Sequence, residues 1–563
     1  MERPWLGHYD QGVPATVPYP NVPLFGLLEE SARRFPRRPA IILAGPNFSA
    51  AITYRRLDEL ANRFANALMA QGIRPGDRIA LHLPNLPQFV FCFYGALKAG
   101  AAVVSTNPLY TVRELARVLR DAEPKFVVTL SRLAPQVSEA LAEAGGVSVI
   151  ATEPYDYFPW PWNWIARLRM RGTGGRVAGS RLTALVRRAA PRAPAVGVEP
   201  EHLAVLQYTG GTTGVPKGAM LSHRNLVANC MQMRHWLSDL REGEERFLGV
   251  VPFFHVYGLT VALNVPVATG GSVICVLMPM FDARLVAEAI ARYRPTIFPG
   301  APAVYLAINQ LKNVQQYNLS SIKVCVSGSA SLPREVQAEF ERLTGATVVE
   351  GYGLSEASPG THTNPVHGPR KAGSIGLPLP DTDARLVDQD TGELNVPPGE
   401  PGELVIRGPQ VMQGYWRAPD ETANTLRDGW LYTGDIARAD DDGYFYVVDR
   451  KKDLVIIGGL KVYPREIEEL LHEHPKIREA VVVGVPHHVR GEQLVAQVVL
   501  KDDAAGDSRE IRRELMEFCR SRLASYKVPR RVRVVDALPK SAVGKVLRRE
   551  VRDAEATRPG QET

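Results

Sequence analysis

Tyr208-Thr209-Gly210-Gly211-Thr212-Thr213-Gly214-Val215-Pro216-Lys217-Gly218 follows the apolar run Leu203-Ala204-Val205-Leu206. Gly210, Gly211 and Gly214 let the backbone approach an anion closely and turn its amides inward. The threonine hydroxyls add donors, and Lys217 adds positive charge at the far end. The spacing is not GxxxxGK[ST], so this is not a Walker loop. A lone Gly/Thr turn reads as a structural turn. An unbroken Gly and Thr run after a strand, closed by a lysine, is much less common than such a turn.

Outward from the loop, residues 51–205 alternate helical patterns with β-branched runs: Leu57–Ala70, then Arg78–Leu83, then Phe126–Leu130. That alternation predicts α/β architecture, and it resumes through 222–350. From Gly373 to Asp449 short strands (Ala384–Asp388, Gly402–Arg407, Tyr444–Val448) stand between Gly, Pro and Asp turns, which predicts a β-rich subdomain. After Asp453 the pattern predicts a helix over Pro464–His474, strands over Ala480–Val485 and Leu494–Leu500, a helix over Ser508–Leu523, and a basic tail. The expected division is an N-terminal domain over 1–448, a polar hinge at 449–453 and a small α+β domain over 454–563.

At 563 residues the chain exceeds one core. Hydrophobic content of 45% and charged content of 23% fit an ordinary globular protein. A formal charge of +7 favours anionic partners such as nucleotides or acidic lipid, and gives no ground for expecting nucleic-acid binding. Cys92, Cys230, Cys275, Cys325 and Cys519 are far apart with no CxxC pair, so neither a zinc site nor a disulfide framework is expected, and a reducing cytoplasm suits them. The N-terminus lacks the basic and apolar regions of a signal peptide. The apolar stretch Phe89–Val104 is interrupted by Lys98 and is shorter than a membrane span; it reads as a buried helix followed by a strand.

Two segments stand out by composition. Residues 171–200, rich in Gly, Arg, Ala and Pro, read as a flexible surface insertion. Before them, Tyr155-Asp156-Tyr157-Phe158-Pro159-Trp160-Pro161-Trp162-Asn163-Trp164-Ile165 precedes Arg167, Arg169 and Arg171. Rings beside arginines suit a membrane interface, so residues 155–171 are read either as a peripheral membrane contact or as an aromatic plug on the domain surface.

The glycine and threonine loop resembles the phosphate-binding signature of the acyl-adenylate-forming superfamily. Further stretches resemble the same family in the same order: Phe253-Phe254-His255-Val256-Tyr257-Gly258, Gly351-Tyr352-Gly353-Leu354-Ser355-Glu356, Tyr432-Thr433-Gly434-Asp435, Asp449-Arg450-Lys451-Lys452-Asp453 and Pro539-Lys540-Ser541-Ala542-Val543-Gly544-Lys545. Within it, Gln207-Tyr208-Thr209, Val462-Tyr463-Pro464 and Leu547-Arg548-Arg549-Glu550 resemble bacterial long-chain fatty-acid–CoA ligases.

The resemblance implies a large domain of layered α/β subdomains with a small C-terminal domain that moves. It implies ATP, Mg²⁺ and coenzyme A and a fatty-acid substrate. With the cysteines and the 155–171 segment, the expectation is a cytoplasmic enzyme, with peripheral contact at the inner face of the membrane and a homodimer among its expected associations. Thr209, Gly210, Gly211, Thr212, Thr213, Gly214 and Lys217 would cradle the β- and γ-phosphates. Ser355 and Glu356 would lie by the α-phosphate, Glu356 holding Mg²⁺. Gly351, Tyr352 and Gly353 would form one adenine wall, and Gly328, Ser329 and Ala330 the other. Asp435 and Arg450 would bind the ribose, His255 would gate and orient the acyl carboxylate, and Lys545 would bridge that carboxylate to the α-phosphate. Lys452 matches the hinge; Gly459 and Lys461 match the loop lining the pantetheine tunnel. Gly458-Gly459-Leu460-Lys461 departs from the Ser-Gly-Phe-Asn common in fatty-acid ligases, which leaves the glycine but not the other contacts. Tyr257, Leu259, Thr260, Val261, Gly300, Val326 and Gly328 are acyl-pocket candidates by neighbourhood, the glycines leaving room for an alkyl chain.

Taken singly, each of these has a plainer reading. Glu356 is then a surface carboxylate, Asp435 a turn cap, Arg450 a solvated charge, His255 a satisfied core histidine and Lys545 a solvated tail lysine. Two rivals stand beside the fatty-acid ligase: a ligase for aromatic or shorter-chain acids, and an inactive nucleotide sensor or scaffold.

Overall fold

The computed structural model describes residues 3–142, 147–169, 179–209, 216–278, 280–392, 396–397, 399–457, 460–487, 491–501, 508–541 and 544–557. The chain forms two compact units, Met1–Asp383 with Arg407–Leu431, and Ala384–Ile406 with Tyr432–Thr563. The fold is mixed α/β, with a large N-terminal part and a smaller C-terminal one.

The first unit is built on two sheets. In one, the described strands run Ser180–Arg181, Ser148–Thr152, Phe126–Leu130, Arg78–His82, Ala102–Ser105, Leu203–Thr209, Lys217–Ser222. All are parallel except the last, which returns antiparallel from Leu203–Thr209. Phe126–Leu130 is buried at all five positions, as a strand covered on both faces must be. The helix Pro87–Lys98 begins with proline, whose missing N–H costs nothing there, and is buried throughout. A Cβ on Gly95 would stand 2.6 Å from Ala61 O, so glycine is what lets this helix lie against Tyr54–Ala70. The buried helix and strand expected over Phe89–Val104 are therefore present. Among the described residues no helix is long and apolar enough to cross a membrane.

In the other sheet the order is Leu377–Pro378, Gly360–Thr363, Thr347–Gly353, Val324–Ser327, Ile297–Gly300, Arg246–Leu248, Ser272–Val276, Pro39–Ala44, Ser49–Thr53. Its six central strands are parallel. From Arg246–Leu248 the chain proceeds to Ser272–Val276 on one side; from Ile297–Gly300 it proceeds to Val324–Ser327 on the other. The connections diverge between these neighbours, which makes a crevice outside their carboxyl ends.

The second unit holds a sheet of Asp383–Val387, Gly402–Arg407, Trp430–Ala439 and Phe445–Arg450, the β-rich segment expected from the Gly and Pro turns. It also holds a sheet ordered Leu460–Val462, Val455–Ile457, Gly491–Leu500, Ile477–His487, with Arg531–Val534 beside Gly491–Leu500. Helices Pro464–His472, Ser508–Arg520 and Arg548–Ala556 complete it. Val462, Ile467, Leu471, Val482, Leu494, Ile511 and Leu515 form its core.

One expectation needs correction. The insertion read over 171–200 is not uniformly irregular: Leu182–Arg188 is a helix with Leu182 and Val186 buried, because these two apolar residues, four apart, face one way. Residues 171–178 lie outside the described part. The aromatic segment divides. Phe158 and Trp162 pack on Phe48 at 4.5 and 5.8 Å, and Tyr157 on Phe91 at 5.2 Å, as a plug would. Trp160, 83% exposed, and Trp164, 60% exposed, stand largely in solvent.

Candidate functional site

The phosphate-loop candidate falls between two antiparallel strands, of which Thr209 and Lys217 are the last paired residues. Gly210, Gly211, Thr212, Thr213 and Gly214 lie outside the described residues. Lys217 pairs with Glu421 at 3.5 Å, and the Glu421 side chain is 44% exposed. Such a pair is worth about 1 kcal/mol at most, so a phosphate can displace it.

Glu356 sits on the single helical turn Ser355–Ala357, directly after Thr347–Gly353. A Cβ on Gly353 would lie 2.2 Å from Pro359 O, so only glycine lets the chain fold back there. The turn is tied from below by Thr260, whose hydroxyl donates to Ser358 O at 2.6 Å. Tyr415 donates its hydroxyl to Glu356 Oε1 at 2.7 Å, and Met412 N donates to Glu356 O at 2.8 Å. Glu356 makes no ion pair among the described residues and is only partly buried. A half-exposed carboxylate with an uncompensated charge suits a hard cation. No cluster of three or more metal-ligating side chains occurs among the described residues. Mg²⁺ needs no such cage, since one or two carboxylates with phosphate oxygens and waters suffice.

The proposed adenine walls are the carboxyl ends of neighbouring strands. Gly351 and Tyr352 are in Thr347–Gly353, and the Tyr352 ring meets His362 edge-on at 5.9 Å. Burial pushes His362 down to about 3, so it is neutral at physiological pH. Gly328, Ser329 and Ala330 follow Val324–Ser327. Ser329 has φ +73°, and its buried Oγ has no hydrogen-bond partner. A strained residue with an unmet donor is an observation that points to a ligand.

His255 lies in the connection from Arg246–Leu248 to Ser272–Val276. Asn85, which the sequence reading missed, builds the segment leading to it: its amide donates to Gly249 O at 3.0 Å and Val251 O at 2.8 Å, and its oxygen accepts from Phe253 N at 2.7 Å. Its signal was Asn85 in Leu83-Pro84-Asn85-Leu86-Pro87, a polar residue in an apolar turn before a helix. Gln207, entering the loop hairpin, donates to Phe254 O at 3.3 Å. His255 Nδ1 accepts from Tyr257 N at 3.3 Å.

The acyl-pocket expectation at the glycines is corrected. Tyr257 hydroxyl donates to Val326 O at 2.5 Å, and its ring would be 3.2 Å from a Cβ on Gly328. The Tyr305 ring would be 2.7 Å from one on Gly300. The glycines make room for tyrosine rings rather than for an alkyl chain in this conformation.

In the second unit Asp435, Arg450 and Lys545 come together. Asp435 follows a Thr433-Gly434 turn in which Gly434 has φ +71° and Asp435 N donates to Thr433 Oγ1 at 3.1 Å. Arg450 is its ladder partner, with Nε 3.0 Å from Asp435 Oδ1. Lys545 sits on a tight hairpin: Lys540 bridges Val546, Ser541 N donates to Lys545 O at 2.8 Å, and Gly544 has φ +80°. The Arg450 guanidinium, with burial second, pushes the Lys545 amine down to about 8, against the pull of Asp435 and Asp453. The side chain still reaches solvent, so the charge is the cause with the firmer footing. Lys452 is exposed on the turn after Phe445–Arg450. Lys461 pairs with Asp390 at 3.0 Å; Gly459 lies outside the described residues.

The family model described as AMP-binding enzyme matches residues 28–416, and that described as AMP-binding enzyme C-terminal domain matches 466–545. A long-chain-fatty-acid–CoA ligase of Bacillus subtilis (strain 168) is 46% identical, covering 98% of each chain. One from Escherichia coli O6:H1 is 38% identical, also covering 98% of each. Among solved structures, ATP-bound MatB from Rhodopseudomonas palustris superposes with a TM-score of 0.83 at 31% identity, over 96% of this chain and 99% of that one. The chain belongs to the AMP-binding enzyme family of ATP-dependent, AMP-forming ligases.

Proposed function

We propose that this chain is a fatty acyl-CoA synthetase that joins a long-chain carboxylate and ATP to give acyl-AMP and pyrophosphate, then transfers the acyl group to coenzyme A and releases AMP. The observation that carries the reading is the company Lys545 keeps. A tail lysine with no task would be solvated alone, whereas this one is fixed on a hairpin beside Arg450 and the buried Asp435. The full-length likeness to the Bacillus subtilis ligase supports a long-chain acid.

A carboxylate attacks weakly, and the α-phosphate is crowded with negative charge at the transition state, so catalysis is positioning and electrostatics. Thr209 and Lys217, with the loop between them, hold the terminal phosphates. Bound Mg²⁺ neutralises phosphate charge, and Glu356 would hold it. Asp435 accepts hydrogen bonds from the ribose hydroxyls, as an acidic residue does in dinucleotide folds. Lys545 brings a compact cation that arrives for adenylation and leaves afterwards. Its departure would pivot the C-terminal region at Lys452 and bring Gly459 and Lys461 to coenzyme A. Ile456 and Leu460, each 49% exposed around that loop, are apolar groups suited to lining a pantetheine arm.

We further propose a cytoplasmic enzyme that docks on the membrane's inner face through 155–171. Trp160, Trp164 and Leu168 are exposed beside Arg167 and Arg169, apolar and cationic groups together. Co-sedimentation with anionic vesicles should fall in Trp160→Ser/Trp164→Ser; unchanged binding would remove this contact.

Competing oleate, octanoate and 4-coumarate, with coenzyme A and ATP, tests the substrate. Oleate should be consumed first. Turnover of 4-coumarate alone would establish the aryl ligase instead, and a wild type no faster than Lys545→Ala the sensor.

A further inference from the structure

Tyr415 is absent from the motifs that the sequence singles out, yet it touches two of them. Its hydroxyl donates to Glu356 Oε1 at 2.7 Å, and Lys217 Nζ stands over its ring, 5.5 Å from the centroid. The backbone carrying it is fixed on both sides: Met220 N donates to Gly414 O at 2.9 Å, and Trp416 N to Gly218 O at 2.8 Å. Tyr415 N donates to Thr422 Oγ1 at 2.8 Å. Gly414 has φ +136°, and a Cβ there would be 2.6 Å from Thr422 Cγ2, so the turn requires glycine. The segment is thus held to Lys217–Ser222 by an antiparallel bridge between Tyr415 and Ala219, and the ring is set before any ligand arrives.

A glutamate on a one-turn helix has three free torsions and spreads its carboxylate over several positions. A hydroxyl bonded to Oε1 selects one of them and leaves Oε2 with both lone pairs for a cation. The ring face beneath Lys217 holds the ammonium by its quadrupole. Resting on the reading of Glu356 as the carboxylate of a Mg²⁺–nucleoside triphosphate site, we propose that Tyr415 is a positioning residue for that site, setting the metal-binding oxygen through its hydroxyl and the phosphate-binding cation through its ring.

The full chain is titrated with ATP by calorimetry, without fatty acid, over a series of Mg²⁺ concentrations and in EDTA. Tyr415→Phe keeps the ring and loses only the hydroxyl. It should raise the Mg²⁺ concentration for half-maximal ATP binding about tenfold, the worth of one hydrogen bond to a charged group. ATP affinity in EDTA should stay as in wild type, and kcat at saturating Mg²⁺ within about twofold, the loss appearing in KM. Tyr415→Leu should further weaken ATP binding in EDTA about threefold, through Lys217. In a Glu356→Gln background Tyr415→Phe should add nothing. A Tyr415→Phe variant with altered melting temperature but wild-type Mg²⁺ dependence, where Glu356→Gln does shift that dependence, overturns the proposal and spares the reading of Glu356. A Glu356→Gln variant with wild-type Mg²⁺ dependence overturns both.

Discussion

Replacing Arg450 with glutamine should move the pH at which adenylation fails. Lys545 serves as a cation, so kcat/KM for ATP is expected to fall as pH rises through its value of about 8. Arg450 is the foremost cause of that depression from the ordinary 10.5. Its removal also leaves Asp435, whose Oδ1 it meets at 3.0 Å, with more charge to exert on Lys545. Both effects act upward. Burial and Arg548 still oppose them, so the break should rise by about one pH unit. The assay is fatty-acid-dependent pyrophosphate release without coenzyme A, read as kcat/KM for ATP, which reports the free enzyme. Arg450→Gln also loses a ribose contact and so lowers kcat/KM at every pH, but the position of the break does not depend on that height. A wild type with no break near pH 8, or a variant whose break stays in place, would refute the reasoning.

Two substitutions probe the frame around the site. Gly353→Ala puts a Cβ 2.2 Å from Pro359 O and should cost about 1–3 kcal/mol in a denaturant titration, with a raised KM for ATP because the Glu356 turn shifts. Gly351→Ala, 3.3 Å from the Thr363 hydroxyl, should be better tolerated. Arg548→Ala should destabilise the second unit in a pH-dependent way. Burial raises Glu468 to about 7, above 4.5 for an unfolded glutamate, so its contribution to stability is full below about 4.5 and is lost as pH rises through about 7. Arg548 holds that value down by an ion pair with Glu468. Without it the loss extends to higher pH and reaches about 2–3 kcal/mol near pH 8, below the full value for a buried pair because Arg548 keeps some solvent access; thermal melts from pH 5 to 9 check this.

The strands that frame the loop were legible because their signals are local. Phe126–Leu130 and Gly402–Arg407 are apolar β-branched runs between turns, and their bounds agree with the expectation. Leu203–Thr209 runs three residues beyond the apolar signal because its partner strand returns antiparallel and pairs through Lys217. The motif residues could be named from the order of the stretches. Their supports could not, because Asn85, Thr260 and Tyr415 act across long separations, such as the 59 residues between Tyr415 and Glu356. The glycines at 300 and 328 misled for the same reason: sequence shows a missing side chain but not the tyrosine ring that fills its place.

The account rests on Lys545 acting in adenylation and not in the transfer that follows. ATP–pyrophosphate exchange with oleate, compared between wild type and Lys545→Ala, tests it most directly, with supplied oleoyl-AMP and coenzyme A as the second arm. Exchange should drop about a hundredfold or more in the variant while acyl transfer from oleoyl-AMP persists. Exchange at the wild-type rate in Lys545→Ala would contradict the account.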